Sequence, residues 1–214
     1  MRAAARRVLS YAVSLRRSDM ACALTCLIRL CALPGALILA ACAGGPQPAD
    51  RAGETPSMLL EEVLTGRTYA YAVFERGGVL DRRFWVEAVG DWDGEALTLE
   101  EYFLYDDGRT DARTWTFRKT SETTYVGTAG DVIGQADVQV YGDAAYFEYR
   151  VDLELEDGST VEVNFQDRLY RVSEDTIINR ATVKKFGLVV GQVTVVFFKD
   201  RPDDWPDIPG VPAP

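Results

Sequence analysis

Between Ser57 and Arg201 the chain alternates apolar and polar residues with a period of two. In Ala145-Tyr146-Phe147-Glu148-Tyr149-Arg150-Val151-Asp152-Leu153-Glu154-Leu155 the odd positions are apolar and most even ones charged. Val161, Val163 and Phe165 likewise alternate with Thr160, Glu162, Asn164 and Gln166. Successive side chains of a strand point to opposite faces, so this pattern marks antiparallel strands with one face buried. Gly77-Gly78, Asp93-Gly94, Asp107-Gly108, Gly142-Asp143, Asp157-Gly158 and Gly187 separate the runs. Such residues accept the positive φ angles of tight hairpin turns. Nine or ten strands follow, at about 66–75, 82–92, 95–105, 110–119, 123–128, 132–141, 144–155, 159–170, 176–186 and 189–199. Only 58–64 (MLLEEVL) reads as helical.

No proline falls between Ser57 and Arg201, as a hydrogen-bonded sheet requires, since proline removes a ladder donor. Consecutive hairpins of long strands predict an all-β, antiparallel up-and-down meander. Closing it removes the edges and gives a lipocalin-like barrel over residues 58–199. A membrane-spanning barrel shows the same alternation with its faces reversed, but the chain lacks an apolar C-terminal strand. Residues 200–214 instead form an acidic tail holding five of the nine prolines, with Asp203, Asp204 and Asp207 around Trp205. That tail is expected to be solvated and without regular structure.

The N-terminus departs from this pattern. Basic residues precede the apolar run Leu30–Leu39, which ends in Leu39-Ala40-Ala41-Cys42. Small residues before a cysteine read as a bacterial lipobox, with residues 1–41 a cleaved signal peptide and Cys42 the lipidated residue. Either Met1 or Met20 can be the start. The run is shorter than the ~20 residues of a membrane span and is broken by Pro34-Gly35. Residues 42–57 then make a lipidated N-terminus and flexible linker. Ala43, rather than an aspartate, follows the cysteine, which by analogy with enterobacterial sorting favours the outer membrane, facing the periplasm.

Composition narrows the function. The four cysteines, Cys22, Cys26, Cys31 and Cys42, all precede the barrel, and there is no histidine. The predicted barrel therefore has no disulfide framework, and the commonest metal ligand and general base are missing. No cofactor is implied. The formal net charge is −10, and without the leader 17 basic and 32 acidic residues leave −15. Such a surface repels nucleic acid.

Leu97-Thr98-Leu99-Glu100-Glu101-Tyr102-Phe103-Leu104-Tyr105-Asp106-Asp107-Gly108 and Asn179-Arg180-Ala181-Thr182-Val183-Lys184-Lys185-Phe186-Gly187, with Gly66-Arg67, Trp92-Asp93-Gly94 and Trp115, resemble a proteobacterial lipoprotein family, domain of unknown function 3833. The similarity runs from about Leu64 to Lys199. At 165–169 the chain departs from it, with Phe-Gln-Asp-Arg-Leu in place of a more aromatic Phe-Asp-Asp-Trp-Met-like stretch. The resemblance implies a lipoprotein and carries no activity.

Strand parity singles out polar residues on apolar faces. Glu101 shares a face with Leu99 and Phe103, Arg113 and Lys119 with Trp115, Asp167 with Phe165, and Asn179 and Lys185 with Ala181 and Val183. An apolar interior with a few polar groups is the usual make-up of a small-molecule site. Glu101, Arg113, Trp115, Asp167, Asn179 and Lys185 are thus the candidate ligand-binding set, with Arg113 and Lys185 placed to hold an anionic head. Rim positions or a structural ion-pair cluster would give the same pattern. The aromatics Tyr69, Tyr71, Phe84, Trp92, Trp115, Phe117, Phe147 and Tyr149 either line a cavity or fill a core. Asp91-Trp92-Asp93-Gly94 resembles the start of a calcium loop, but Tyr102 stands where the closing glutamate belongs. The leading expectation is a lipid-anchored periplasmic protein binding an apolar or amphipathic ligand, such as a fatty acyl group. The alternatives are a non-enzymatic envelope interaction protein with a solid core, or an enzyme on lipid-like substrates using Glu101 and Asp167.

Overall fold

A computed structural model describes residues 47–154 and 159–213. Cys42 and its lipobox, Leu155 and the Asp157-Gly158 turn lie outside them. Ten strands, β1 (Gly66–Arg76), β2 (Val79–Trp92), β3 (Ala96–Tyr105), β4 (Thr110–Lys119), β5 (Thr124–Ala129), β6 (Val132–Tyr141), β7 (Ala144–Glu154), β8 (Thr160–Arg171), β9 (Thr176–Lys185) and β10 (Leu188–Phe198), follow one another as antiparallel neighbours. β1 pairs with β10, Tyr69 opposite Phe198 through Glu75 opposite Gln192, so the sheet closes on itself. This is the expected up-and-down barrel.

Alternation holds around the wall. In β8 Val161, Val163, Phe165, Asp167 and Leu169 are buried, while Glu162 and Arg168 are exposed. β1 breaks the expected reading: its inward residues are Thr68, Ala70, Ala72 and Phe74. Tyr69 and Tyr71 face outward, where they pack with Trp205 and Ile208 of the C-terminal segment. Apolar residues on both faces of Thr-Tyr-Ala-Tyr-Ala-Val-Phe hide its parity.

The tail is therefore not simply solvated. It forms no regular element, as expected, but Trp205 is 5% exposed and edges onto Tyr69 and Tyr71 with ring centroids 5.2 and 5.4 Å apart. Its indole N–H donates to Glu87 at 3.2 Å. Burying an amphipathic ring with its polar edge satisfied holds an irregular segment that propensity alone would leave loose.

One end of the barrel is plugged. Residues 58–64 enter it through the short helix α1 (Leu60–Val63), with Met58, Leu60 and Val63 buried in the main core. Glu61 accepts hydrogen bonds from Lys119 and Tyr125 on the wall. Lys119, expected on the inner face, thus serves the plug. Gly90 permits the close approach of the plug: a Cβ there would meet the Leu64 carbonyl oxygen at 1.9 Å. Ahead of it, the expected linker contains a short 3-10 turn, Pro48–Arg51, whose Arg51 pairs with Asp143.

Candidate functional site

Within the barrel lies a cavity of about 150 Å³, lined by residues of the plug, β2–β4 and β7–β10. The interior is therefore not solid. Cross-strand register builds its walls: Leu99 faces Trp115 and Glu101 faces Arg113 between β3 and β4, while Phe147 faces Asp167 and Tyr149 faces Phe165 between β7 and β8. Asn179 and Ala181 come from β9. Rings dominate. Trp115 stacks on Phe117 at 5.0 Å, Tyr149 stacks on Phe165 at 5.2 Å, and Tyr149 meets Trp115 edge-on at 5.2 Å. Gly127 makes room for them, because a Cβ would come within 2.7 Å of the Phe117 ring.

Five of the six candidate residues, Glu101, Arg113, Trp115, Asp167 and Asn179, line this one cavity. Lys185 does not. It occupies the last pair of the β9–β10 hairpin, opposite Leu188, with its ammonium 5.4 Å from the Phe186 ring. Its parity is inward, but at a rim parity no longer decides what a side chain lines. Of the aromatic candidates, Phe84, Trp115, Phe117, Phe147 and Tyr149 line the cavity, whereas Trp92 packs beside the core and the β1 tyrosines lie outside.

Arg113 is the cation of the site, held over the Trp115 ring at 4.1 Å and 3.2 Å from the buried Asp131 carboxylate. Asp131 escaped the sequence reading because it sits in the β5–β6 turn, where strand parity assigns no face. Tyr149 was visible only as an aromatic. Its hydroxyl donates to Asp167 at 3.0 Å, while among the described residues the other Asp167 oxygen and the Asn179 carbonyl oxygen have no hydrogen-bond partner.

Arg113 thus shares this cavity with Glu101 and Asp167, with Asp131 paired to it. Burial pushes Asp167 up to about 6, although the Tyr149 hydrogen bond and Arg113 pull the other way. Burial also lifts Glu101 to about 7, opposed by Arg113 and reinforced by Asp131 and Asp167. Burial works against the charge of Arg113, but Tyr149, Asp131 and Glu101 outweigh it and hold its pKa above the ordinary value. The site is acidic: a further anion would meet Glu101 and Asp167, while the guanidinium forms an ion pair with Asp131 and keeps Nε and Nη2 without a hydrogen-bond partner among the described residues. Lys185, expected to hold an anionic head together with Arg113, lies away from the cavity. No group of three or more metal-binding side chains occurs among the described residues. Asp93, the candidate calcium-loop aspartate, accepts from the Glu95 and Ala96 amides at 2.8 Å and so forms a hairpin turn.

The model of the family described as "Protein of unknown function (DUF3833)" matches residues 36–199, and the chain belongs to that family. No curated protein matches it. Among solved structures, the chain is similar to a protein of unknown function from the DUF3598 family of Nostoc punctiforme, with 16% identity and a TM-score of 0.47. That match covers 73% of this chain and 52% of the other, so this chain spans about half the length of that protein. Rv2717c from Mycobacterium tuberculosis has 16% identity and a TM-score of 0.44, covering 64% and 93% of the two chains. The S-type phycobiliprotein lyase CPES of Guillardia theta has 7% identity and a TM-score of 0.41, covering 67% and 92%.

Proposed function

We propose that this DUF3833 family member is a lipid-anchored envelope protein whose barrel binds a small amphipathic ligand. The observation that carries the reading is an aromatic-lined cavity on whose walls Glu101, Arg113, Asp167 and Asn179 converge. At about 150 Å³ it suits a group about the size of benzene. The apolar part of the ligand contacts Trp115, Phe117 and Phe147. Its polar head is neutral or cationic and donates hydrogen bonds, since the carboxylates outnumber the cation. A fatty acyl ligand fits this chemistry as an amide that keeps an N–H rather than as a free acid, and only its terminal part fits the cavity volume. The anchor is the lipidated Cys42, which places the barrel at the outer membrane facing the periplasm.

Native purification with organic extraction and mass spectrometry tests the ligand, with a mock purification as control. The expected extract contains an apolar compound carrying an amine, hydroxyl or amide. An extract in which free carboxylic acids are the only enriched compounds would overturn the head-group assignment. The mass of the mature N-terminus tests the anchor: a diacylglyceryl modification on Cys42 is expected, and an unmodified Cys42 would refute it.

A further inference from the structure

Large apolar side chains are exposed mainly at the barrel end opposite the plug. Val79 and Leu80 follow the Gly77-Gly78 turn of the β1–β2 hairpin, while Phe186, Leu188 and Val189 form the β9–β10 hairpin. Because β1 and β10 are bonded neighbours, the two tips lie side by side. Phe186 is 93% exposed and takes a φ of 51° in a turn where the following Gly187 has a φ of 80°. A bulky residue is disfavoured there, and asparagine is the usual occupant. Phe186 thus carries both a backbone penalty and an almost fully exposed ring, beside the Lys185 ammonium.

Cations mark the two tips, although the adjoining β3–β4 hairpin carries Asp107 and Asp111 beside Arg109. Arg83, Lys184 and Lys185 flank the tips, and Arg76 sits at the end of β1. Their carboxylate neighbours are Glu75, Asp81, which pairs with Arg76 at 2.8 Å, and Asp106, 3.5 Å from Arg83. Lys184 donates to the neutral Gln166, and Lys185 stands by the Phe186 ring. A chain of net charge −10 therefore presents its projecting apolar tips beside cations. Phe and Leu next to Lys and Arg is the composition that partitions into a lipid interface and is drawn to anionic headgroups. Convex tips suit a deformable bilayer, whereas a protein partner would need a matching groove.

We infer that the β1–β2 and β9–β10 hairpin tips dock on an anionic lipid bilayer. This concerns the outer rim and does not depend on the ligand reading. The test uses the full chain with its four cysteines replaced by serine and one cysteine added, Leu188→Cys at the tip or Val172→Cys near the plug, carrying an environment-sensitive dye. The dye reports the tip itself, so residues ahead of the barrel that reach a membrane do not mimic the signal. With phosphatidylcholine–phosphatidylglycerol vesicles, the dye at 188 shifts to the blue and the dye at 172 does not. Phosphatidylcholine alone gives a weaker shift, as does Lys184→Glu with Lys185→Glu. Phe186→Ser raises the vesicle concentration for half-maximal shift by about tenfold, from the loss of one buried ring. No shift at 188, or equal shifts at both positions, overturns the inference. So does a shift at 188 without vesicles that grows with protein concentration, which assigns the tips to a second copy of the chain. Unchanged near-ultraviolet circular dichroism verifies that each variant is folded.

Discussion

Glu101 offers a direct physical probe of the cavity. Burial raises its pKa from 4.5 to about 7, so between those values the folded protein holds a proton that the unfolded chain has released. Stability contributed by this group is therefore lost as pH rises through that window. A shift of that size, at about 1.4 kcal/mol per unit, corresponds to about 3 kcal/mol. Glu101→Gln keeps the shape and removes the charge. Its stability should match wild type near pH 4, where both forms are uncharged, and exceed it by about 3 kcal/mol at pH 9. Urea unfolding of both proteins across this range measures the difference directly. Parallel stability curves would instead mean that Glu101 ionises inside the barrel as easily as in water.

Further outcomes follow from the packing. Arg113→Ala should cost about 3–5 kcal/mol by urea unfolding, because it leaves Asp131 buried without its cation; a loss below 1 kcal/mol, as for an exposed pair, would contradict that pairing. Trp115→Ala should lower stability by about 3–5 kcal/mol and enlarge the cavity; unchanged stability would mean that the ring is not packed as described. Gly90→Ala should loosen the plug, seen as faster hydrogen exchange in 58–64, and unaltered exchange would count against the close Leu64 contact. Trp205→Ala should release the tail to proteolysis while the barrel stays folded, whereas equal protease resistance would show that the indole does not hold it.

The wall of the barrel was legible because its signal is local. Alternation and turn glycines place each strand within a few residues, and the same parity found Glu101, Arg113, Asp167 and Asn179 from sequence. What parity could not supply was depth along the barrel axis, so Lys185, correct in face, fell at the rim. Residues outside strands gave no parity at all, which hid Asp131 and with it the ion pair of Arg113. The outward packing of Tyr69 and Tyr71 was hidden for a third reason. It depends on Trp205, more than 130 positions away along the chain, and no local period encodes such a contact.

The cavity is expected to take a small apolar body with a donor head and to reject an anionic one. Ligand-observed NMR with benzylamine, benzyl alcohol and benzoate tests it, using the cavity-filling variant Ala181→Phe as control. Benzylamine and benzyl alcohol should bind wild type and lose binding in the variant. Benzylamine should weaken as pH falls from 8 to 5, because Glu101 at about 7 and Asp167 at about 6 take up protons. Benzoate binding as well as the amine, or binding of all three that persists in Ala181→Phe, would contradict the account.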